Sequence, residues 1–355
     1  MAVAKPRFTK RVLLFVLFGL LVLMLYFYYF VGTLNIIDVI KRVNLLCYTS
    51  AFIAFLVSVL FYSLAWQSLL RNLNINAKIQ RVLLLTWTGM FFDVTIPDPG
   101  WSGDLSKAYM LAKTSGHDTG RIVASVVGQK IIGMVITVVD LILGLALLAL
   151  SYTLSSTVLI FIAIILFLSA FSLVVVSYLS AKPGATKRIL NWLIRVIFFV
   201  RRGHWNPQDF RLKAEELLNT FHEGIGTLSA NLRSLVRPVT FSLVSWGFDV
   251  SVTFLTFLSL GYSVPLDKVL IVYALTGSLQ IIGVSFIGFT EVVMSGAYTV
   301  LGIQPALSLA VTLLTRVVTL WFKLVVSYVA FQWAGVEILT GKKTSDSAEQ
   351  IAHSK

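Results

Sequence analysis

The chain has 355 residues, of which 57% are hydrophobic and 13% are charged, and its mean hydropathy is +0.87. Soluble domains carry charge on about a quarter of their residues, so this composition excludes a soluble globular protein and indicates an integral membrane protein. The formal net charge of +13 is compatible with nucleic-acid binding, but the positions of the cations along the chain favour a membrane, and we predict no nucleic-acid partner.

Six apolar windows are long enough to cross a hydrocarbon layer about 30 Å thick, which takes about 20 helical residues each. The windows are 12–31, 47–70, 122–150, 154–180, 238–261 and 306–334. The first resembles a signal peptide but lacks a small-residue cleavage site, so we expect it to be retained. The predicted fold is an all-α polytopic membrane protein with about six full spans.

The cations predict how these spans are oriented. With the N-terminus in the cytoplasm, 23 of the 29 Lys and Arg residues fall in inner segments, three in outer loops and three within spans. Cytoplasmic loops of membrane proteins carry such an excess of cations. We therefore expect a multi-pass protein of the cell membrane with both termini in the cytoplasm.

The segment near 82–116 does not fit a full span. Its apolar part, "VLLLTWTGMFFDVTI", is too short to cross and runs into "PDPGWSG". The cation count holds only if this segment returns to the side it came from, which predicts a re-entrant helical hairpin from the cytoplasmic face. In "PGWSGDLSKAY" we predict a half-helix capped by Ser102, with Gly103 next, Asp104 in the first turn and Lys107 one turn later.

The connector at 181–234 is predicted to lie in the cytoplasm. "KRILNWLIRVIFFVRR" mixes bulky apolar residues with cations, which predicts an amphipathic helix in the membrane interface, where anionic lipids attract it. A second helix is expected to start at Asn206-Pro207, a cap and first-position pair. The polar tail at 336–355 is predicted to be disordered and cytoplasmic.

A second re-entrant hairpin is predicted near 268–303, entering from the outer face. It contains "GVSFIGFTEVVMSGAYTVLG", where the carboxylate Glu291 lies among glycines in an apolar stretch. We predict a half-helix that follows Gly288, is capped by Thr290 and has Glu291 in its first turn. Arg316 lies too deep in the last span to snorkel, so it needs a partner, and Glu291 or an anionic head group is the natural one.

Several other ionisable residues lie in or near the spans. Lys130 is close to its membrane surface but aligned with the repeat described next, whereas Lys323 is expected to snorkel rather than act directly. Asp93, Asp140 and Asp249 are secondary candidates, because ionisable groups inside a membrane are functional candidates by default.

Asp104 and Glu291 have two interpretations. They cap their half-helices, or they line a translocation path as ion-coupled carboxylates or as partners of a cation. The single cysteine, Cys47, and four scattered histidines predict no disulfide, no cofactor and no metal site.

The two hairpin segments resemble each other. "TGMFFDVTIPDPGWSGD" from Thr88 and "TGSLQIIGVSFIGFTE" from Thr276 share a Thr-Gly pair and a Gly-aromatic-Ser/Thr triplet at one offset, and their acidic residues match with one residue of slippage. Chance recurrence in a chain with 23 glycines is the alternative. We predict two halves, 1–150 and 151–335, each with three spans and one hairpin. An odd number of crossings makes the second half an inverted repeat, as in many secondary transporters.

"GWSGDLSKAYML" and "GFTEVVMSGAYTVLGIQPALSLAVTLLTR" resemble the two signature regions of the flippase-like membrane protein family. That family includes archaeal and bacterial membrane proteins and the membrane half of lysylphosphatidylglycerol synthases. The resemblance covers residues from about 10 to 335 and implies translocation of an anionic or aminoacylated lipid, or of a lipid-linked sugar, between leaflets. Gln129-Lys130 stands where the family often has Glu-Arg, and the approach to Glu291, "VSFIGFTE", lacks the proline that is common there in the family.

These features predict a lipid flippase or scramblase, not an enzyme, that passes an anionic, aminoacylated or polyprenyl-linked head group through a midplane cavity. Its partners would be membrane lipids and a separate lipid-modifying enzyme or glycosyltransferase. A transporter of a small soluble anion and a membrane-embedded lipid-phosphate transferase are the alternatives, although the sequence shows no carboxylate cluster for the latter. No catalytic residue is predicted, and the predicted translocation residues are Ser102, Gly103, Asp104, Lys107, Lys130, Gly288, Thr290, Glu291 and Arg316.

Overall fold

The structure is a computed structural model that describes residues 40–96, 100–151, 156–200, 207–283 and 288–340. Within these ranges the chain forms helices and contains no strand. The α-helices are α1 (Leu45–Asn72), α2 (Ile79–Thr95), α3 (Ser102–Ser115), α4 (Thr119–Ser151), α5 (Ser156–Ala181), α6 (Pro183–Val200), α7 (Pro207–Ala230), α8 (Val236–Ser259), α9 (Leu266–Ile281), α10 (Phe289–Val300), α11 (Pro305–Arg316) and α12 (Lys323–Thr340). A 3₁₀ turn, Leu232–Leu235, precedes α8, and a π-helical segment, Val317–Phe322, joins α11 to α12.

Within the described ranges, five helical segments are long and apolar enough to cross a membrane, so the chain is a multi-pass membrane protein. They are Leu45–Asn72, Thr119–Leu150, Ser156–Ala181, Leu232–Ser259 and Pro305–Gly335. Each coincides with a predicted window to within a few residues. The remaining predicted span, 12–31, lies outside the described residues.

The two irregular segments each form a pair of short helices, α2 with α3 and α9 with α10. In the first pair the backbones touch: a Cβ added to Gly89 would lie 2.8 Å from the carbonyl oxygen of Gly103, and one added to Gly103 would clash with Gly89 and with the Asp93 carboxylate. Small residues at a helix crossing allow this approach. In the second pair, Lys268 Nζ donates to the carbonyl of Leu301 at 2.7 Å and ties the start of α9 to the end of α10.

α1 and α8 pack against each other in antiparallel fashion along their whole length. At one end the backbone N–H of Asn44 donates to the carbonyl of Ser259 at 2.7 Å. Near the middle the hydroxyl oxygens of Ser58 and Ser245 are 3.1 Å apart. At the other end the Asn72 side chain donates to the carbonyl of Ser234 at 2.9 Å. This pair forms the spine against which the hairpins lie.

The order of helices in the first half recurs in the second with nearly constant spacing. Segments begin at Leu45, Ile79, Ser102 and Thr119, and then at Leu232, Leu266, Phe289 and Pro305. Subtracting each first start from its counterpart gives 187, 187, 187 and 186 residues. The long helix that follows each hairpin therefore begins at an equivalent position in both halves.

The connector forms two helices, α6 and α7, as the sequence predicted. α7 packs closely on α4, since a Cβ added to Gly224 would lie 2.7 Å from the Cβ of Ala124. His222 lies 3.0 Å from the carbonyl oxygen of Ser180 and 3.2 Å from the hydroxyl of Thr186, which fixes α7 to the α5–α6 junction. The predicted start of the disordered tail, residue 336, is too early, because α12 continues to Thr340. Residues 341–355 lie outside the described part of the chain.

We predict that Gly224→Ala lowers the melting temperature of the purified protein. The added methyl group overpacks the α4–α7 contact at a cost of about 1–3 kcal/mol, which exceeds the gain in helix propensity of about 0.5–1 kcal/mol. Gly226→Ala on the same helix is the matched control, because nothing lies within 4 Å of its new Cβ. Thermal denaturation in detergent compares the two, and an equal or higher melting temperature for Gly224→Ala contradicts the packing described here.

Candidate functional site

A buried cluster of charges lies where the first hairpin meets α4. Asp104 Oδ1 is 2.8 Å from Lys107 Nζ, and its Oδ2 is 3.3 Å from Lys130 Nζ. Asp104 is 5% exposed and Lys107 is 2% exposed. The spacing of three residues places Asp104 and Lys107 on one face of α3, and Lys130 approaches from α4. One carboxylate thus contacts two ammonium groups, and the three groups together carry a formal charge of +1.

Aromatic and amide groups complete the surroundings of the two lysines. Lys107 Nζ lies 5.1 Å from the ring centroid of Tyr62 and 5.0 Å from that of Trp66, and Lys130 Nζ lies 5.2 Å from Trp101. Such cation–π contacts strengthen when water is excluded. Lys107 Nζ also donates to Gln129 Oε1 at 3.0 Å. The cluster therefore holds its cations without bringing them to the membrane surface.

The turn of the first hairpin is fixed by the same charges. Lys130 Nζ donates to the carbonyl of Gly100 at 2.7 Å, and the backbone N–H of Gly103 donates to Asp93 Oδ1 at 2.9 Å. Gly100 has a φ of +75°, which favours glycine. A Cβ there would lie 3.5 Å from Gln280 Nε2, so the end of α9 reaches this turn. The two hairpins thus approach each other at Gly100 and Gln280.

A second buried ion pair joins the second hairpin to the last span. Arg316 Nε donates to Glu291 Oε1 at 2.6 Å, and the backbone N–H of Gly288 donates to Glu291 Oε2 at 2.7 Å. Glu291 is 3% exposed. Gly288, with a φ of +92°, is the N-cap of α10. The predicted partner of Arg316 is confirmed, and Glu291 both caps the half-helix and binds a cation.

The predicted caps of the two half-helices are wrong by one or two residues. The N-cap of α3 is Trp101 and the helix begins at Ser102, whereas the N-cap of α10 is Gly288 and Thr290 is already helical. Residues with hydroxyl side chains are common at N-caps, but not every helix has one there. Here Trp101, whose ring lies over Lys130, is the N-cap of α3, and Gly288, with its positive φ, is the N-cap of α10.

A third group of polar side chains lies between the two ion pairs. The Tyr273 hydroxyl donates to Asp249 Oδ2 at 3.3 Å. Lys323 lies within electrostatic range of Asp93, Asp249 and Arg316. Lys323 is half-buried, and the expectation that it snorkels to the interface stays a prediction. The π-helical segment separates Arg316 from Lys323, and π-helical turns occur frequently at functional sites.

Together these contacts link the two ion pairs into one chain of charges. Asp93 lies within electrostatic range of Asp104, Lys130 and Lys323, and Lys323 extends the chain to Arg316. The connected groups are four acids and four bases: Asp93, Asp104, Asp249 and Glu291 with Lys107, Lys130, Arg316 and Lys323. Their formal charges cancel, as a low-dielectric interior requires.

Asp140 is a buried carboxylate outside this chain. Its Oδ2 accepts a hydrogen bond from Trp246 Nε1 at 3.1 Å, and its Oδ1 has no hydrogen-bond partner in the described part of the chain. α4 therefore carries one acid in addition to the cation Lys130.

The structure brings most of the predicted residues together and adds some. Asp104, Lys107 and Lys130 form one centre with Gly103 beside it, and Glu291, Arg316 and Gly288 form the other. The sequence analysis did not identify Gln129 as a hydrogen-bond partner of Lys107. It also did not identify the aromatic residues that contact the two lysines, Tyr62, Trp66 and Trp101. The spacing of four between Tyr62 and Trp66, which places both rings on one face of α1, was the available signal.

Comparison with known proteins gives one family and several relatives. The lysylphosphatidylglycerol synthase TM region matches residues 12–327. A UPF0104 membrane protein of Pyrococcus horikoshii is 26% identical over 88% of this chain and 93% of its own. UPF0104 membrane proteins of Methanocaldococcus jannaschii and Methanothermobacter thermautotrophicus are 24% and 21% identical over 92% and 87% of this chain, and over 95% and 91% of theirs. No solved structure matches the chain.

We predict that Asp104→Ala destabilises the protein by about 3–5 kcal/mol, because it leaves two buried ammonium groups without a counter-charge. Asp118→Ala is the matched control. Asp118 also has a cation three residues later, Arg121 at 4.0 Å, but the two side chains are 64% and 44% exposed. Its loss is expected to cost less than about 1 kcal/mol. Thermal denaturation in detergent measures both, and equal losses contradict a buried cluster at Asp104.

Proposed function

The chain belongs to the family of the lysylphosphatidylglycerol synthase TM region, and on that premise we propose that it moves the phosphate-bearing head group of a lipid between the leaflets of the membrane. Anionic, aminoacylated and polyprenyl-linked lipids share this chemistry. The observation that carries the proposal is the pair of buried carboxylate–cation centres, each built from the first turn of a hairpin half-helix and a following long helix. Ionisable groups at such positions mark substrate pathways in membrane proteins.

We propose further that the two halves are inverted repeats related by a twofold axis in the membrane plane. Three observations support this. The helices recur with a spacing of 186 or 187 residues. Asp104 and Glu291 are also 187 residues apart, and each pairs with a cation 25 or 26 residues further on. Ser58 and Ser245, again 187 residues apart, contact each other, as equivalent residues do only at an axis. The two hairpins would then be re-entrant from opposite faces.

In this proposal the carboxylates occupy the places that the substrate phosphate takes. Every cation of the two centres contacts Asp104 or Glu291. Opening such a pair costs several kcal/mol if a buried charge is left alone, but exchanging one anion for another avoids most of that cost. The guanidinium of Arg316 binds phosphate bidentately, and the two ammonium groups near Asp104 provide a second position. The displaced carboxylate takes up a proton or turns to a neighbouring cation such as Lys323.

The first test is leaflet exchange in proteoliposomes. The exchange rates of three fluorescent lipids are compared: phosphatidylglycerol, aminoacylated phosphatidylglycerol and a polyprenyl-phosphate sugar. A quencher added outside the vesicles reports how much of each lipid is in the outer leaflet. We expect the wild type to exchange at least one of them. Arg316→Ala and Glu291→Gln should each slow that exchange by at least about tenfold, since a lost charged contact exceeds about 1.4 kcal/mol.

Arg211→Ala is the control, because Arg211 is exposed and forms its ion pair with Glu215, one turn further along the same helix. Melting curves of all variants show whether they remain folded. Wild-type exchange rates in folded Arg316→Ala and Glu291→Gln would refute the site. If the proteoliposomes take up a soluble anion and exchange no lipid, the protein is a transporter of that anion and the lipid proposal is refuted.

The second test is the sidedness of the hairpins. In a Cys47→Ser background, Lys113→Cys introduces a single thiol at an exposed position in the last turn of the first hairpin, and Gln304→Cys introduces one directly after the second. A membrane-impermeant maleimide should label Gln304→Cys in intact cells and label Lys113→Cys only after permeabilisation. Labelling of both from the same side would exclude opposed re-entrant hairpins.

A further inference from the structure

We propose that a cavity between α1, α2 and α8 binds the phosphate of an anionic lipid as a resident ligand, separately from any translocation. The cavity has a volume of about 550 Å³, within the range of about 300–1,000 Å³ typical of ligand sites. It lies where α1 ends and α2 and α8 begin, which is the cytoplasmic end if the cation count gives the orientation.

The charge of this cavity is one-sided. Arg71, Lys78 and Arg237 line it, and no carboxylate does. In the part of the chain that the structure describes, no carboxylate pairs with Arg71 or Arg237. This contrasts with the interior of the bundle, where acids and bases balance. The N-terminus of α2 also lies here, and the first N–H groups of a helix lack partners within it and favour an anion.

The remaining lining residues favour a lipid over a free ion. Gln67 and Ser68 are buried polar groups at the inner end, and Gln67 Nε2 is held by the carbonyl of Ala77 at 2.8 Å. Leu64 and Phe241 provide an apolar wall beside them. A glycerophosphate fits this division, with its phosphate against the cations and its glycerol and first methylene groups against Phe241. Basic pockets between helices on the cytoplasmic side bind anionic head groups in this way.

α1 separates this cavity from the buried charges of the hairpins. Tyr62 and Trp66 face Lys107, whereas Leu64, Ser68 and Arg71 line the cavity. Residues two positions apart on an α-helix point about 200° apart, so the two sets lie on opposite faces. A lipid in the cavity is therefore bound at the outside of the spine and not carried through the interior. The inference does not depend on the proposed translocation.

The test measures lipid retained by the purified full-length protein. Delipidated protein in detergent is mixed with phosphatidylglycerol or phosphatidylcholine, and the bound lipid is counted by native mass spectrometry. We expect the wild type to retain phosphatidylglycerol only. Arg71→Ala/Arg237→Ala should weaken retention roughly 30-fold, which corresponds to about 1 kcal/mol for each cation. Arg71→Lys/Arg237→Lys, which keeps both charges, should retain the lipid.

Two controls separate this site from others. Arg211→Ala/Lys213→Ala removes two cations from the exposed start of α7 and should leave retention unchanged. Arg316→Ala reports the interior separately: lipid lost in this variant but kept in Arg71→Ala/Arg237→Ala would place the bound lipid in the interior and overturn the proposal. Undiminished retention in the folded Arg71→Ala/Arg237→Ala variant would overturn it as well. Displacement of the lipid by an equal concentration of inorganic phosphate would assign the cavity to the free ion instead.

Discussion

The rest of the structure depends on the cost of placing a charge in an apolar interior. An unpaired buried ion costs several kcal/mol, so a carboxylate and a cation that enter the bundle from different segments must meet. A first-turn acid on a short half-helix meets a cation on the following long helix in both halves: Asp104 meets Lys130, and Glu291 meets Arg316. These contacts fix the position of each half-helix against the long helix that follows it. The short helices are thus held by charge as well as by apolar packing.

The second requirement for these ion pairs is that the backbones of neighbouring helices come close together. A carboxylate on the first turn reaches its partner only if nothing bulky separates the helices. Gly89 and Gly103 let α2 and α3 touch, and the left-handed φ values of Gly100 and Gly288 turn the chain immediately before the two half-helices. The glycine-rich sequence around Asp104 and Glu291 therefore has a geometric cause that is independent of any ligand.

The features that depend on local sequence patterns, such as the positions of the spans, could be predicted from the sequence. The length of apolar windows located the five described spans, and the depth of Arg316 in its span required a carboxylate, which Glu291 provides. Contacts between distant segments were not predictable in the same way. Tyr62 and Trp66 reach Lys107 across the bundle, and the π-helical segment arises from packing that no helical period reveals.

The π-helical segment at Val317–Phe322 also has a mechanical consequence. A π turn closes one residue later than an α turn, so its conversion to α-helix would rotate everything beyond it by one residue, or about 100°. Such a rotation would swing Lys323 away from Asp93 and Asp249 and leave Arg316, which precedes the segment, beside Glu291. The segment thus lies between the two cations of the last span, and such a conversion would change the position of Lys323 relative to Arg316.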